Sequence, residues 1–297
     1  MGMKCQNCLS ESIKPIFQRV DGRKIVCCQQ CSFAFVFPQP SKQELEEIYS
    51  LSYFTGATDF HAGALFLENR KALKDPEQLT GWKWIKSNVD PRGKRMLELG
   101  CADGALLFHL RKDGAREVKG VEIARSLVEV AEKNYGVEVV VADTAKMPFA
   151  DASFDLVIAV DVIEHVENPN LTMAECSRVL APGGRFIGIC PNWEAFAKFG
   201  RCWHGVQFNM EHLSYFDLNV LTAMAQKHGL QLKAFEFRGM PLRLKSYKNL
   251  HSPLSKLVEP WKAAYNLILK LIVKAAGTRY SHEIAFAFEK SMRTPAQ

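Results

Sequence analysis

The sequence predicts an α/β fold with a doubly wound, mostly parallel sheet, preceded by a small cysteine-rich module. Three observations carry this expectation. The stretch Arg95-Met-Leu-Glu-Leu-Gly-Cys-Ala-Asp-Gly104 runs an apolar strand into a turn of small residues, and the amphipathic run 105–112 follows it at once, which is the pattern of strand, tight turn and helix. Apolar strand-like runs and helical stretches then alternate down the chain, the order of a doubly wound sheet. Five of the nine cysteines fall within the first 31 residues, as Cys5-x-x-Cys8 and Cys27-Cys28-x-x-Cys31.

Two CxxC knuckles about 19 residues apart match a four-sulfur zinc ribbon. Spacing selects Cys5, Cys8, Cys28 and Cys31 as ligands and leaves Cys27 as the spare, one residue outside its knuckle. Four thiolates close the coordination shell, so the zinc is expected to be structural and to replace a core in a module, residues 1–40, with too little apolar surface of its own. Paired disulfides do not suit a reducing compartment, and a redox dithiol needs only one CxxC. Next, 32–37 alternates like a strand and stops at Pro38-x-Pro40. Ser41 and Glu44 stand at capping-box spacing ahead of a helix expected over 42–50. Residues 51–61 hold Tyr53-Phe54 and Gly56 with little periodicity, and 65–89 reads as helical with a break near Asp75-Pro76. Residues 41–93 thus lead from the ribbon into the main domain, 94–297.

In that domain the turn glycines allow a ligand close to the backbone, and the amides opening the following helix suit its carboxylate or phosphate. A dinucleotide is disfavoured, because Gly100, Ala102 and Gly104 recur at every second position instead of as GxGxxG. A second strand, 118–122, ends in Glu122 about 20 residues past the turn, where an acid accepts both hydroxyls of a ribose. A third, 137–142, ends at Asp143-Thr144, and a fourth, 154–160, ends at Asp161. Helices are expected over 125–135 and over 168–180, where Pro169 suits the first turn. A strand follows at 185–189. Asp217 caps a helix running to about His228, which Gly229 ends. Strands at 230–237 and 283–288 complete the set.

Taken together, these pieces resemble the class I S-adenosylmethionine-dependent methyltransferases over about residues 94–240: Leu97 to Gly104, Glu122, Val141-Ala-Asp143, Phe154 to Asp161, Glu164-His165-Val166 and Leu180-Ala-Pro-Gly-Gly184. The resemblance implies a Rossmann-like, seven-stranded sheet whose last strand is antiparallel. It puts the methionine part of the cofactor on Gly100, Ala102 and Gly104, the ribose on Glu122 and the adenine amino group on Asp143. Glu98, Cys101, Ile123, Thr144 and Asp161 fall around the same pocket. Ala102 stands where glycine is commoner, a change of one methyl group. Family members with such a ribbon follow it with a tyrosine-bearing helix and a tyrosine-phenylalanine pair that closes over the cofactor, a pattern Tyr49, Tyr53 and Phe54 fit. Aromatics that simply cover the core explain them equally well.

Two insertions, 191–216 and 240–282, lie where such folds place substrate specificity. The first ends in His212-Leu-Ser-Tyr-Phe216, similar to a histidine-bearing segment of small-molecule methyltransferases of the ubiquinone type, which makes His212 a candidate base; a structural histidine is the alternative. Asp161, Glu164 and His165 resemble the acid-x-x-acid-histidine cluster with which ubiquinone-pathway O-methyltransferases bind a divalent ion. Two readings stand: a magnesium or manganese site acting as a Lewis acid, or an acid lining the cofactor pocket with Glu164 and His165 orienting the loop. Without the ion, His165 or His212 is the base. In the second insertion, Leu254, Leu257, Val258, Trp261, Tyr265, Ile268 and Ile272 recur at helical spacing, with Lys256, Lys262, Lys270 and Lys274 on other faces. A lid, a peripheral membrane contact through 254–274 and a packed hairpin or subunit contact all fit, and Pro260 argues against one unbroken helix.

The length of 297 residues, with 47% hydrophobic and 24% charged, suits one large domain plus a small module. A formal charge of +6, without a basic stripe carrying aromatics, gives no reason to expect a nucleic-acid partner. The start Met1-Gly-Met-Lys-Cys5 has no apolar run behind its lysine, and a cytoplasmic location is expected. The sequence therefore predicts methyl transfer from S-adenosylmethionine to a small-molecule acceptor, at a hydroxyl oxygen, with a structural zinc. A sugar C-methyltransferase and a cofactor-binding adaptor without turnover are the alternatives.

Overall fold

A computed structural model describes residues 3–19, 21–48, 75–200, 203, 206, 211–239, 271 and 278–292. Its central sheet is built around β4 (Arg95–Leu99), which is buried on both faces and lies parallel to β5 (Glu117–Glu122) on one side and β7 (Phe154–Val160) on the other. A strand with Met96, Leu97 and Leu99 in the core has no solvent face, which accounts for its near-continuous apolar run. Helix α3 (Ala105–Lys112) covers one face and α4 (Arg125–Tyr135) carries the chain onward to β6 (Glu138–Val141) at the edge. Asn168 accepts from the N–H groups of Asn170 and Leu171 (3.1 and 3.2 Å) and starts α5 (Pro169–Val179). The chain then enters β8 (Leu180–Pro191), which begins earlier than the sequence suggests because Leu180 already pairs with Phe154.

The sheet closes with α7 (Leu218–Lys227), capped by Asp217 as expected, then β10 (Leu230–Arg238) and β11 (Glu283–Lys290). In spatial order the seven strands run β10, β11, β8, β7, β4, β5, β6, and β11 is antiparallel to both its neighbours. That is the predicted antiparallel last strand. Strand order reverses beside β4, and the parallel strands β4, β5, β6 and β7 bring their C-terminal ends together there, where an open α/β sheet offers its crevice.

The N-terminal segment forms a second sheet of β1 (Ile13–Gln18), β2 (Lys24–Cys28) and β3 (Ala34–Phe37). Its fourth strand is β9 (Ser214–Tyr215), which comes from the first insertion and pairs with β3 through Ala34↔Tyr215 and Phe35↔Ser214. The expectation that metal replaces a core here needs correcting. Val26, Cys28, Phe33 and Phe35 belong to one buried cluster with Leu97, Phe154 and Phe216 of the larger domain. Phe33 stacks on Phe35 and tilts against Phe216, and burying such rings is worth about 2–3 kcal/mol each. An aromatic group of Trp193, Phe196, Trp203 and Tyr215 from the insertion fills the other side. The insertion also contributes a short helix, α6 (Glu194–Phe199).

Between the sheets, Ser41 and Glu44 form the reciprocal capping box of α1 (Lys42–Ile48): Ser41 N donates to Glu44 Oε2 at 2.7 Å and Glu44 N to Ser41 Oγ at 3.3 Å. The break near Asp75-Pro76 is a single 3₁₀ turn, Pro76–Gln78, and α2 (Trp82–Asn88) follows it. Tyr49, Tyr53, Phe54, the stretch 65–74, His204, Phe208 and the amphipathic run 254–274, apart from Leu271, lie outside the described residues. Among the described residues no helix is long and apolar enough to cross a membrane.

Candidate active site

The turn after β4 is fixed by packing from below. Gly100, Ala102 and Gly104 all have positive φ, at 56°, 49° and 77°. A Cβ on Gly100 would stand 2.7 Å from Val162 Cγ2, and one on Gly104 2.5 Å from Val137 Cγ2, so both glycines are required by the packing of the fold. Ala102 does carry a Cβ in this left-handed conformation, which costs roughly 1–2 kcal/mol. The substitution that looks mild in the sequence is therefore a strained position.

What holds Ala102 there is Glu122, at the end of β5. Its Oε2 accepts from Ala102 N at 3.0 Å, and its Oε1 accepts from Ile123 N at 2.8 Å and Ala124 N at 3.0 Å. The carboxylate is only 6% exposed. Burial pushes its pKa up, against the pull of the three amides. Ile123 beside it is 58% exposed, a large apolar side chain standing in the open next to a buried acid. Asp143, just beyond β6, is exposed and accepts from Ala145 N at 2.8 Å. Thr144 Oγ1 lies 3.0 Å from Thr172 Oγ1 of α5.

Two other expected pocket residues turn out to be placed by the core. Cys101 packs its sulfur against Gly120, where a Cβ would come within 2.3 Å of it, and burial drives its thiol pKa well up. Only its backbone faces the turn. Glu98 is buried on β4. Asp103, which sequence reading did not single out, is also buried and accepts from Ala105 N at 3.2 Å, so one of the amides opening α3 is already engaged. Asp161 is exposed, has a φ of 53° and is held through its N–H to Ile189 O at 3.0 Å. Tyr53 lies outside the described residues.

Beyond β7 the chain gathers a second set. Glu164, His165 and His212 each offer a ligand atom within 4.8 Å of the other two. His212 takes the place that sequence reading gave to Asp161, because the segment 212–214 folds back on the loop and both Leu213 N (2.8 Å) and Ser214 N (3.0 Å) donate to Glu164 O. The imidazoles of His165 and His212 meet edge to face with centroids 4.8 Å apart. Glu164 is 1% exposed, and among the described residues neither carboxyl oxygen has a hydrogen-bond partner; His165 Nε2 lies 3.7 Å from Oε1. Burial, with Asp161 adding to it, raises the Glu164 pKa well above the carboxylate range. Burial lowers that of His165. A carbonyl can only accept, so the 3.2 Å contact between His165 Nδ1 and Glu211 O places the proton on Nδ1 and leaves Nε2 as a base.

The four predicted knuckle cysteines converge as a third cluster, again with sulfurs within 4.8 Å of one another. Cys5 and Cys31 are 3.5 Å apart, as are Cys8 and Cys28, too far for disulfides. A tetrahedron with bonds of ~2.3 Å has edges of about 3.8 Å, so the spacing suits one ion between four thiolates. Burial opposes charge on Cys28, yet hydrogen bonds from the N–H groups of Cys31 and Gln30 and from the Cys8 and Cys31 thiols together bring its pKa down to about 7. Cys27 turns away and donates to the carbonyls of Cys28 and Ser32.

Comparison with known proteins agrees with this fold. Residues 97–188 match the family described as "Methyltransferase domain". The chain is 30% identical over 121 residues to the O-methyltransferase resE of Aspergillus sclerotiorum, covering 36% of this chain and 46% of that protein. It is 30% identical over 128 residues to the ubiquinone biosynthesis O-methyltransferase of Coxiella burnetii, covering 38% and 51%. With the sterol 4-C-methyltransferase strm-1 of Caenorhabditis elegans it shares 36% over 98 residues, covering 31% and 29%. The chain thus spans about half the length, or less, of these curated relatives. Among solved structures, an S-adenosylmethionine-dependent methyltransferase from Mesorhizobium loti superimposes with a TM-score of 0.50 at 14% identity, over 73% of this chain and 100% of that one. The [4+2]-cyclase SpnF does so with 0.54 at 17%, over 86% and 99%. At such identities the likeness shows the fold alone, and the second case shows that this fold also serves other chemistry.

Proposed function

We propose that this chain, whose residues 97–188 are a methyltransferase domain with the fold of the class I S-adenosylmethionine-dependent enzymes, transfers a methyl group to a hydroxyl oxygen of a small molecule. The observation that carries the reading is the Glu122 carboxylate, buried at a strand end and tied to the amide of the strained Ala102. A dry acid beside a close-packed small-residue turn is where a neutral diol such as a ribose is held. Gly100, Ala102 and Gly104 would hold the methionine part, Ile123 would cover a face of the adenine, and Asp143 would accept from its amino group. S-adenosylmethionine supplies a methyl already activated on a sulfonium, so the chain's task is to align the acceptor and exclude water. Metabolites of cells with and without the gene should differ by a small molecule heavier by one methyl group. Purified protein that binds the cofactor but methylates nothing in such an extract would instead support an adaptor.

On the acceptor side, His165 is poised as a general base. Its Nδ1 proton is fixed by Glu211 O, its lowered pKa keeps it neutral near pH 7, and Nε2 is left to accept a hydroxyl proton. A second reading is favoured by one observation, the carboxyl oxygens of Glu164, which have no hydrogen-bond partner among the described residues. Glu164, His165 and His212 together are a donor set of two imidazoles and one carboxylate, which suits manganese or zinc better than magnesium. Bound there, such an ion would lower the pKa of a coordinated hydroxyl. We further infer that Cys5, Cys8, Cys28 and Cys31 hold a structural zinc, in a reducing compartment such as the cytoplasm. The sterol 4-C-methyltransferase relative points to carbon as the alternative nucleophile, and O-methylation is the reading favoured by the two O-methyltransferase relatives.

A further inference from the structure

We propose that the N-terminal hairpin is a wall of the acceptor pocket and that Arg19 is its positioning residue, holding the His212 imidazole against His165 through the His212 carbonyl. This rests on the reading that His165 and His212 face the acceptor. Arg19 follows β1, and its side chain is 1% exposed. A guanidinium stays charged, and burying one is costly unless acceptors are placed to meet its forked donors. Nη1 donates to His212 O at 2.7 Å, across 193 residues of sequence, and Nη2 to Asp21 Oδ2 at 3.0 Å. Asp21 is itself fixed by Arg23 N at 3.1 Å, and the Arg23 guanidinium reaches Glu44, the acid of the α1 capping box.

Other ties run the same way. Val36 N of β3 donates to Leu213 O at 2.9 Å, on the segment whose Leu213 and Ser214 amides donate to Glu164 O. Gln6, between the first two knuckle cysteines, donates to Glu167 O at 2.9 Å, and Lys227 of α7 donates to Asn7 Oδ1 at 2.6 Å. The His212 segment is therefore clamped between the hairpin on one side and the Glu164–His165 loop on the other. The cofactor cradle at Gly100, Ala102 and Glu122 stands on the central sheet and has none of these contacts with Arg19. A purely scaffolding hairpin would affect both halves of the site together, whereas a positioning Arg19 would affect the histidines alone.

The test uses the full chain with zinc bound, without acceptor. Histidine ring Cε1–Hε1 signals are compared by NMR at one fixed pH in the parent, Arg19→Gln, Arg19→Lys and Asp21→Asn, with His212→Gln and His165→Gln giving the assignments. Arg19→Gln should shift the signals of His212 and His165 while leaving those of His109 and His228 in place and S-adenosylmethionine affinity unchanged by calorimetry. Arg19→Lys should restore part of the shift, and Asp21→Asn should move the same two signals by less. Unmoved His212 and His165 signals in folded Arg19→Gln would overturn the proposal, as would equal shifts in all four histidines. If Arg19→Gln does not fold, Asp21→Asn decides on the same criterion. The pocket reading fails separately, by full acceptor turnover in both histidine variants.

Discussion

Replacing Glu122 with glutamine probes the cofactor cradle by removing one interaction while keeping the side chain's size. The carboxylate accepts three amide hydrogens, two on Oε1 and one, from Ala102, on Oε2. A glutamine oxygen can keep the pair from Ile123 and Ala124, but its NH2 then faces the Ala102 N–H, donor against donor. One charge-assisted bond is lost, worth about 1.5–3 kcal/mol. Ala102 also loses the partner that holds it in a conformation costing roughly 1–2 kcal/mol. If the same oxygens receive a ribose, affinity for S-adenosylmethionine should fall by roughly 10- to 150-fold, since each 1.4 kcal/mol is a factor of ten. Calorimetric titration, paired with a thermal melt, measures both effects. A lowered melting temperature with unchanged affinity would make Glu122 a scaffold for the turn only, and no change in either would refute the reasoning.

Asp143→Ala should weaken cofactor binding by about 1.5–3 kcal/mol in the same titration, and parent-like binding would mean that the adenine lies elsewhere. Metal analysis should find one zinc per chain in the parent and in Cys27→Ser, and none in Cys28→Ser; the reverse order would put the ligand register in error. Exhaustive chelation that leaves the ribbon zinc in place should abolish turnover if Glu164, His165 and His212 hold an ion, and full turnover would leave His165 or His212 as the base. Acidity separates the groups further. Because His165 has a lowered pKa, the unfolded chain takes up a proton first, so stability is full above about pH 6.5 and falls as pH drops toward the native value. Glu164 has a raised pKa, so its contribution is full below the unfolded value of about 4.3 and is lost as pH rises toward the native one. Urea midpoints across pH should therefore lose their acid slope in His165→Gln and flatten on the other limb in Glu164→Gln; unchanged profiles would contradict the burial argument.

Local chemistry made much of this molecule legible in its sequence. The 125–135 helix, the Ser41–Glu44 box, the Asp217 cap and the 154–160 strand depend on near neighbours, and the structure reproduces them. The knuckle register, with Cys27 outside, follows from CxxC spacing alone. Asp21-Gly22 between apolar runs is also a hairpin signal, and β1 and β2 flank it. Long-range pairings leave no local mark. Nothing near residue 214 indicates that it completes the sheet of residues 13–37, or that His212 rather than Asp161 joins Glu164 and His165. Nor does an arginine in a polar turn announce that its guanidinium is buried under a histidine carbonyl 193 residues away. The strain at Ala102 is equally hidden, because φ is set by the turn and not by the residue.

The most direct test of the account is transfer itself. Purified protein is given S-adenosylmethionine carrying a trideuterated methyl group together with a small-molecule extract, and the products are read by mass spectrometry beside Glu122→Gln and His165→Gln. The account predicts a small molecule that gains the labelled methyl on oxygen, made by the parent and lost or strongly slowed in both variants. Bound cofactor with no labelled small molecule, or a label transferred equally well by the variants, would contradict it.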